Sequence, residues 1–269
     1  MPGPRRDNPP VSWVETASPS FTARHESAHE QDAEEVLDAL EAYRMRLGEL
    51  YPRLPENITV VLHDSWLQLA LAQPYLPVAR RLASPAARRY MAGWFSAGEV
   101  HVLAPERLRE LAGGADSLEA LLLTPQRVYT MLVAGADNPL LPPPFRPQTL
   151  RSMRRTPWML EGIAQFLSGQ VPLLRPALAI RLREGPVRFP PSRRDSPLVA
   201  GAVFDLLAER HGEAACVRLA RQPAKDPVHA LASTLGVANA DLVSLWRVHI
   251  ERLASPRAGV TPLSSALRN

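Results

Sequence analysis

A chain of 269 residues, 46% hydrophobic and 22% charged, is long enough for one large domain or two small lobes sharing a core, and its composition excludes a disordered or fibrous chain. Its net charge of +4 comes from 31 basic residues scattered among 27 acids with no stripe of basic and aromatic side chains, so a nucleic-acid partner is not expected. The one cysteine, Cys216, excludes an intrachain disulfide and a cysteine-built zinc site; with no apolar leader and no segment of spanning length, the expectation is a cytoplasmic protein without a membrane partner.

Residues 1–20 are polar and proline-rich and read as a loose arm whose Trp13 and Val14 dock on the body. "FTARHE" (21–26) alternates as a strand does. Ser27 and Glu30 then spell a capping box for a long helix, with an apolar stripe from Ala33 through Leu37, Leu40, Tyr43 and Leu47 to Leu50. "ENITVVLHD" (56–64) reads as a β-branched strand, followed by a helix over 65–72 and a proline-broken, arginine-rich stretch. "MAGWFSAGEVHVLAP" (91–105) reads as a hairpin turning on Ser96-Ala97-Gly98.

From Ser117 the pattern is helical almost throughout. "SLEALLLTPQRVYTMLVAGADN" is either kinked at Pro125 or restarted there behind a Thr124 cap. "NPLLPPPFRPQ" (138–148) is a stiff loop, and "TPWMLEGIAQFLSGQ" (156–170) an amphipathic helix closed by Gly169. After a loop at 185–197 comes a helix ending at Gly212, then helices over 213–222, 227–235 and 239–254. The expected class is α+β, divided as an arm (1–20), an α/β lobe (21–116), a helical lobe (117–255) and a flexible tail (256–269).

His25-Glu26-Ser27-Ala28-His29 has the letters of HExxH, in which two histidines on one helix face hold zinc and the glutamate is the general base. The setting differs. Arg24, Glu30, Gln31 and Asp32 flank it instead of apolar residues, and Ser27 as a cap leaves His25 outside the helix. The expectation here is a polar strand-to-helix junction; the alternative is a zinc site on His25 and His29 with Glu26 as base.

"WMLEGIAQFLSGQ" resembles the W-x-x-E-G-x-A-x-(F/Y) helix of the gluzincin metallopeptidases, the peptidase MA-like superfamily, whose glutamate is the third zinc ligand. The equivalent here is Glu161, with Gly162 and Ala164 small enough for close packing on the zinc-binding helix. "FTARHE", helix, "NITVVLHD" is similar to that family's first strand, helix and second strand, "AGWFSAGEVHVL" to its hairpin, and residues 196–250 to its closing helices. The resemblance spans about residues 21–254. It places the zinc-binding helix at "TPQRVYTMLV", with Gln126, Arg127 and Thr130 where the first histidine, the glutamate and the second histidine belong. None keeps the chemistry: glutamine is a poor ligand, arginine a fixed cation, threonine a weak donor. Arg127 is instead expected to pair with Glu161. Read without the resemblance, Glu161 is a first-turn acid that favours the helix dipole.

The resemblance therefore implies a zincin-like, gluzincin-type fold that has lost its ligands: a pseudopeptidase, with no catalytic residue and no cofactor expected (zinc on the alternative), whose cleft between lobes binds a peptide or protein. Trp94, Phe95, Tyr129, Phe145 and Trp158 are the groove candidates. The rival is an active zinc peptidase using His25 and His29 or other histidines. A third reading is a structural or DNA-associated protein whose arginines form the working surface. His63 and His101 are expected to be satisfied by backbone or solvent, with a surface metal pair as the alternative, and His229 and His249 to lie on polar helix faces.

Overall fold

The computed structural model describes residues 13–255. Within them five strands, β1 (Trp13–Ala17), β2 (Phe21–Glu26), β3 (Ile58–His63), β4 (Gly93–Ser96) and β5 (Glu99–Leu103), form one sheet in the order β1-β2-β3-β5-β4. The inner pairs β2–β3 and β3–β5 are parallel and the two edge strands antiparallel. Parallel neighbours need a crossover. Helix α1 (Glu30–Gly48) supplies the first; α2 (Trp66–Ala72), α3 (Tyr75–Leu82) and α4 (Pro85–Arg88) lie between β3 and β4. The fold is α+β.

The period of two puts Phe21, Ala23, Val60, Leu62, Val100 and Val102 on one sheet face, all buried. Against that face lie the predicted stripe of α1 and, across β4 and β5, the helix α7 (Thr124–Asp137), buried from Thr124 to Gly135. The opposite face carries Trp13, His63 and His101, with the Trp13 and His63 rings edge to face at 6.5 Å. Helices α5 (Pro105–Leu111) and α6 (Ala115–Leu122) lead into α7, and α8 (Pro147–Arg155) leads into α9 (Pro157–Leu167). Helix α9 packs along α7 on one side and α12 (Gly201–His211) on the other. Around them are α10 (Arg175–Arg183), α11 (Ser196–Val199), α13 (Glu213–Arg221), α14 (Pro227–Leu235) and α15 (Asn239–Ala254).

The C-terminal helices stand where the sequence puts them, because their ends are chemically marked. The Asp226 carboxylate accepts the Val228 and His229 N–H groups at the start of α14, and Gly236 closes it in the left-handed region at φ +68°.

Several expectations need correction. Of the proposed arm, residues 13–17 are a strand paired with β2; residues 1–12 and the proposed tail at 256–269 lie outside the described residues. The Ser27 capping box does not form, because a 3-10 turn over Ser27–His29 intervenes and α1 begins without a side-chain cap. Thr124 donates its hydroxyl to the Leu121 carbonyl instead of accepting at the start of α7. Helix α9 is not amphipathic but buried along most of its length. The proposed boundary at 116/117 falls inside α6, and one hydrophobic core runs from Phe21 to Leu253.

Candidate functional site

Where α7 and α9 pack together, Arg127 Nη1 donates to Glu161 Oε2 at 2.8 Å, with the two side chains 3% and 12% exposed. This is the pair the residue types predict. Arg127 Nη2 also donates to the Tyr90 carbonyl at 3.2 Å, and its Nε has no partner. Burial pushes the Glu161 carboxyl above the ordinary carboxylate range; the Arg127 charge and hydrogen bond pull against it but do not cancel it. Glu161 sits in the second turn of α9, so the first-turn reading does not apply.

Of the three α7 residues expected at the lost ligand positions, Arg127 is the one that reaches Glu161. The Thr130 hydroxyl turns towards α1, where it meets the Tyr43 hydroxyl at 2.6 Å, and the buried Gln126 leaves Oε1 without a partner. The α7 residue that shares the Glu161 surroundings with Arg127 is Met131, one turn on. Residues i and i+4 share a helix face, so Arg127, which reaches Glu161, and Met131, which lines the same space as Glu161, lie on one side of α7. An arginine, a methionine and one carboxylate do not fit zinc: the guanidinium is a fixed cation, and a thioether is a soft ligand unsuited to it. Gly162 does not serve close packing on α7 either. A Cβ there would stand 2.6 Å from the Phe204 ring and 2.7 Å from the Ala200 carbonyl, so its smallness admits α12.

Beside the ion pair is a cavity of about 350 Å³, with Glu161 and Met131 in its wall. The rest of the wall is apolar: Val78 and Leu82 of α3, Met91, Trp94 of β4, Phe145 of the proline loop, Leu150 and Met153 of α8, and Leu160 of α9. Arg154 and Arg193 also line it, with Tyr75, Ala79, Pro157, Ser196 and Pro197. Of the five groove candidates only Trp94 and Phe145 line this space. Phe95 is buried behind Phe145, with ring centroids 5.3 Å apart. Tyr129 packs on Phe21 and receives Arg44 on its hydroxyl, and Trp158 lies in the core against Phe204. Met131 was findable as the residue four after Arg127. Val78, Leu82, Met153 and Arg193 had no sequence signal, because proline-broken segments bring them together.

His25-Glu26-Ser27-Ala28-His29 is not α-helical: its first two residues end β2 and its last three form a 3-10 turn. His25 points into the core from β2, with Thr16 Oγ1 at 2.9 Å and the Glu26 carbonyl at 2.8 Å. His29, in the 3-10 turn, has Asp64 at 3.2 Å and Asp32 at 3.4 Å, and the Glu26 carboxylate accepts from Gln68. The two imidazoles belong to different elements and different partners.

His63 and His101 meet on the outer sheet face, with His63 Nε2 3.1 Å from His101 Nδ1 and His101 Nε2 3.1 Å from Glu99 Oε2. Both are buried, so the expected satisfaction by backbone or solvent does not hold; His63 Nδ1 has no partner. Burial, reinforced by the neighbouring imidazole, depresses His63 to about 4. Burial also lowers His101, against the opposing pull of Glu99.

His249 is buried as well, not on a polar face. With Asp205 and Glu209 it forms the one group of three among the described residues whose donors lie within 4.8 Å of one another. Arg252 reaches into that group, 2.9 Å from His249 Nδ1 and 2.5 Å from Glu209, so its guanidinium is the cation held there.

No family model, curated protein or solved structure matches this chain.

Proposed function

We propose that the chain is a gluzincin-like scaffold that no longer hydrolyses, a pseudopeptidase whose cavity beside Glu161 receives an apolar side chain of a peptide or protein. The order strand, helix, strand, hairpin, then a buried helix with a glutamate-bearing helix packed on it, supports the scaffold. The observation that carries the reading is the Arg127–Glu161 ion pair. It sits on the helix pair where the resemblance puts a metal, and it closes one wall of a largely apolar cavity. Water activation by zinc has no place there. Shape and desolvation would supply the affinity.

The edge strand β4 is a poor rail for a peptide backbone, because Gly93, Trp94 and Phe95 are all buried. The ligand is therefore taken at a side chain. The test uses short capped peptides that differ only by phenylalanine or glycine at one position, with isothermal titration calorimetry as readout. The phenylalanine peptide should bind and the glycine one should not. Met131→Trp, which fills the cavity, should weaken binding at least about ten-fold. Equal binding of both peptides, or no effect of Met131→Trp, would remove the cavity from the account.

A further inference from the structure

The cavity opens through a surface built unlike the rest of the molecule. Helix α3 turns Tyr75, Val78 and Leu82 outward at positions i, i+3 and i+7, and α2 just before it turns out Leu67 and Leu71, each more than half exposed. Tyr75, Val78 and Leu82 also form the lip of the cavity. The orientation is held: Leu69 and Leu76 face inward, and the Arg80 guanidinium lies 3.7 Å over the Trp66 ring. On α1 the apolar stripe faces the core and Met45 is the one large apolar side chain turned to water; here five large ones face water.

The charges around this lip are segregated. Segments 65–98, 138–160 and 185–194 each contribute to the cavity wall, and together they hold eleven of the 31 basic residues and none of the 27 acids. The near-neutral total therefore hides three cavity-lining segments that carry only positive charge. Among the described residues, only Arg194 of those eleven has a carboxylate within 4.0 Å, Glu184 at 3.8 Å. Elsewhere Arg24, Arg46, Arg107, Arg221 and Arg252 are paired at the surface. Arg154 and Arg193 stand together at the mouth, where Arg193 Nη2 donates to the Arg154 carbonyl.

We propose that this face docks on an anionic lipid bilayer, with Tyr75, Val78 and Leu82 seated at the boundary between headgroups and acyl chains and the unpaired arginines on the phosphates. Outward apolar residues beside segments that carry arginines and no acids are the chemistry of an interfacial helix. A nucleic acid would use the arginines but leave the five apolar side chains in water. That no single helix is long and apolar enough to cross a membrane does not bear on a helix lying in its surface. The docking is independent of the peptidase-like reading. It places the cavity mouth against the lipid.

The test is co-sedimentation of the full chain with vesicles of phosphatidylcholine alone and with about 30 mol % phosphatidylglycerol. Binding is expected to the anionic vesicles only and to fall with added salt. Val78→Asp with Leu82→Asp should weaken it at least about ten-fold. Arg81→Gln and Arg154→Gln, at exposed positions that leave folding intact, should each weaken it roughly five-fold. No binding to either vesicle, or binding unchanged in the aspartate variant, would overturn the proposal. So would release of the protein from vesicles by duplex DNA with an affinity that the aspartate variant retains. A dimer in solution that the aspartate variant dissociates, without vesicle binding, would overturn it in favour of self-association.

Discussion

Replacing Arg127 with methionine keeps most of the side-chain volume but leaves the Glu161 carboxylate in its buried place without a counter-ion. Breaking one partner of a buried ion pair costs about 3–5 kcal/mol, whereas replacing both partners by apolar residues is often close to neutral. Arg127→Met also loses the bond to the Tyr90 carbonyl, about 1 kcal/mol more. The loss is a large fraction of the stability of a typical domain. The assay is urea denaturation at constant m, for Arg127→Met, Glu161→Met and the double variant. The double variant should be more stable than Arg127→Met alone, with a coupling of at least about 2 kcal/mol.

The pH dependence gives a second handle. Burial already holds the Glu161 carboxyl above its ordinary value of 4.5, and without Arg127 it rises further. The folded variant then keeps a proton that the unfolded chain has released. Its deficit is therefore small below pH 4.5 and grows as pH climbs through the folded value. A cost under about 1 kcal/mol at pH 7, or one that does not change with pH, would refute the claim that the pair is a buried, mutually dependent unit.

Two further predictions concern a buried imidazole on the outer sheet face and the packing of α9. His63 titrates near 4 when folded and near 6.5 when unfolded, so between those values the unfolded chain binds more protons and stability falls as pH is lowered. The loss attributable to this one imidazole reaches about 3 kcal/mol near pH 4, and His63→Gln should flatten that part of the stability–pH curve. Gly162→Ala brings a Cβ within 2.7 Å of the Ala200 backbone carbonyl, which cannot swing aside. The overpacking outweighs the gain in helix propensity by about 2 kcal/mol, read as a fall in Tm of roughly 5 °C.

What the sequence revealed follows from where local chemistry governs structure. The helices from Gly201 onward were legible because Gly212, Asp226, Pro227 and Gly236 mark their ends. The Arg127–Glu161 contact was legible because a buried acid needs a cation and few were in reach. Which face of α7 meets which neighbour was not. Positions 126, 127, 130 and 131 are all buried, so periodicity alone could not say which face meets α9 and which meets α1. Strand β1 was missed because an edge strand with alternate residues exposed carries little apolar signal. Helices α3 and α8 were missed because proline interrupts the one and arginine dominates the other, and because the apolar residues of α3 point outward, against the rule that periodicity reports burial.

We propose that the Arg127–Glu161 pair stands where the resemblance to gluzincins would put a metal. Elemental analysis of zinc on tag-free protein, after incubation with zinc and buffer exchange, tests it most directly. The account predicts no retained zinc in the natural sequence and none gained in His25→Ala or Glu161→Ala. About one zinc per chain, lost in His25→Ala or Glu161→Ala, would contradict it and restore a metallopeptidase site.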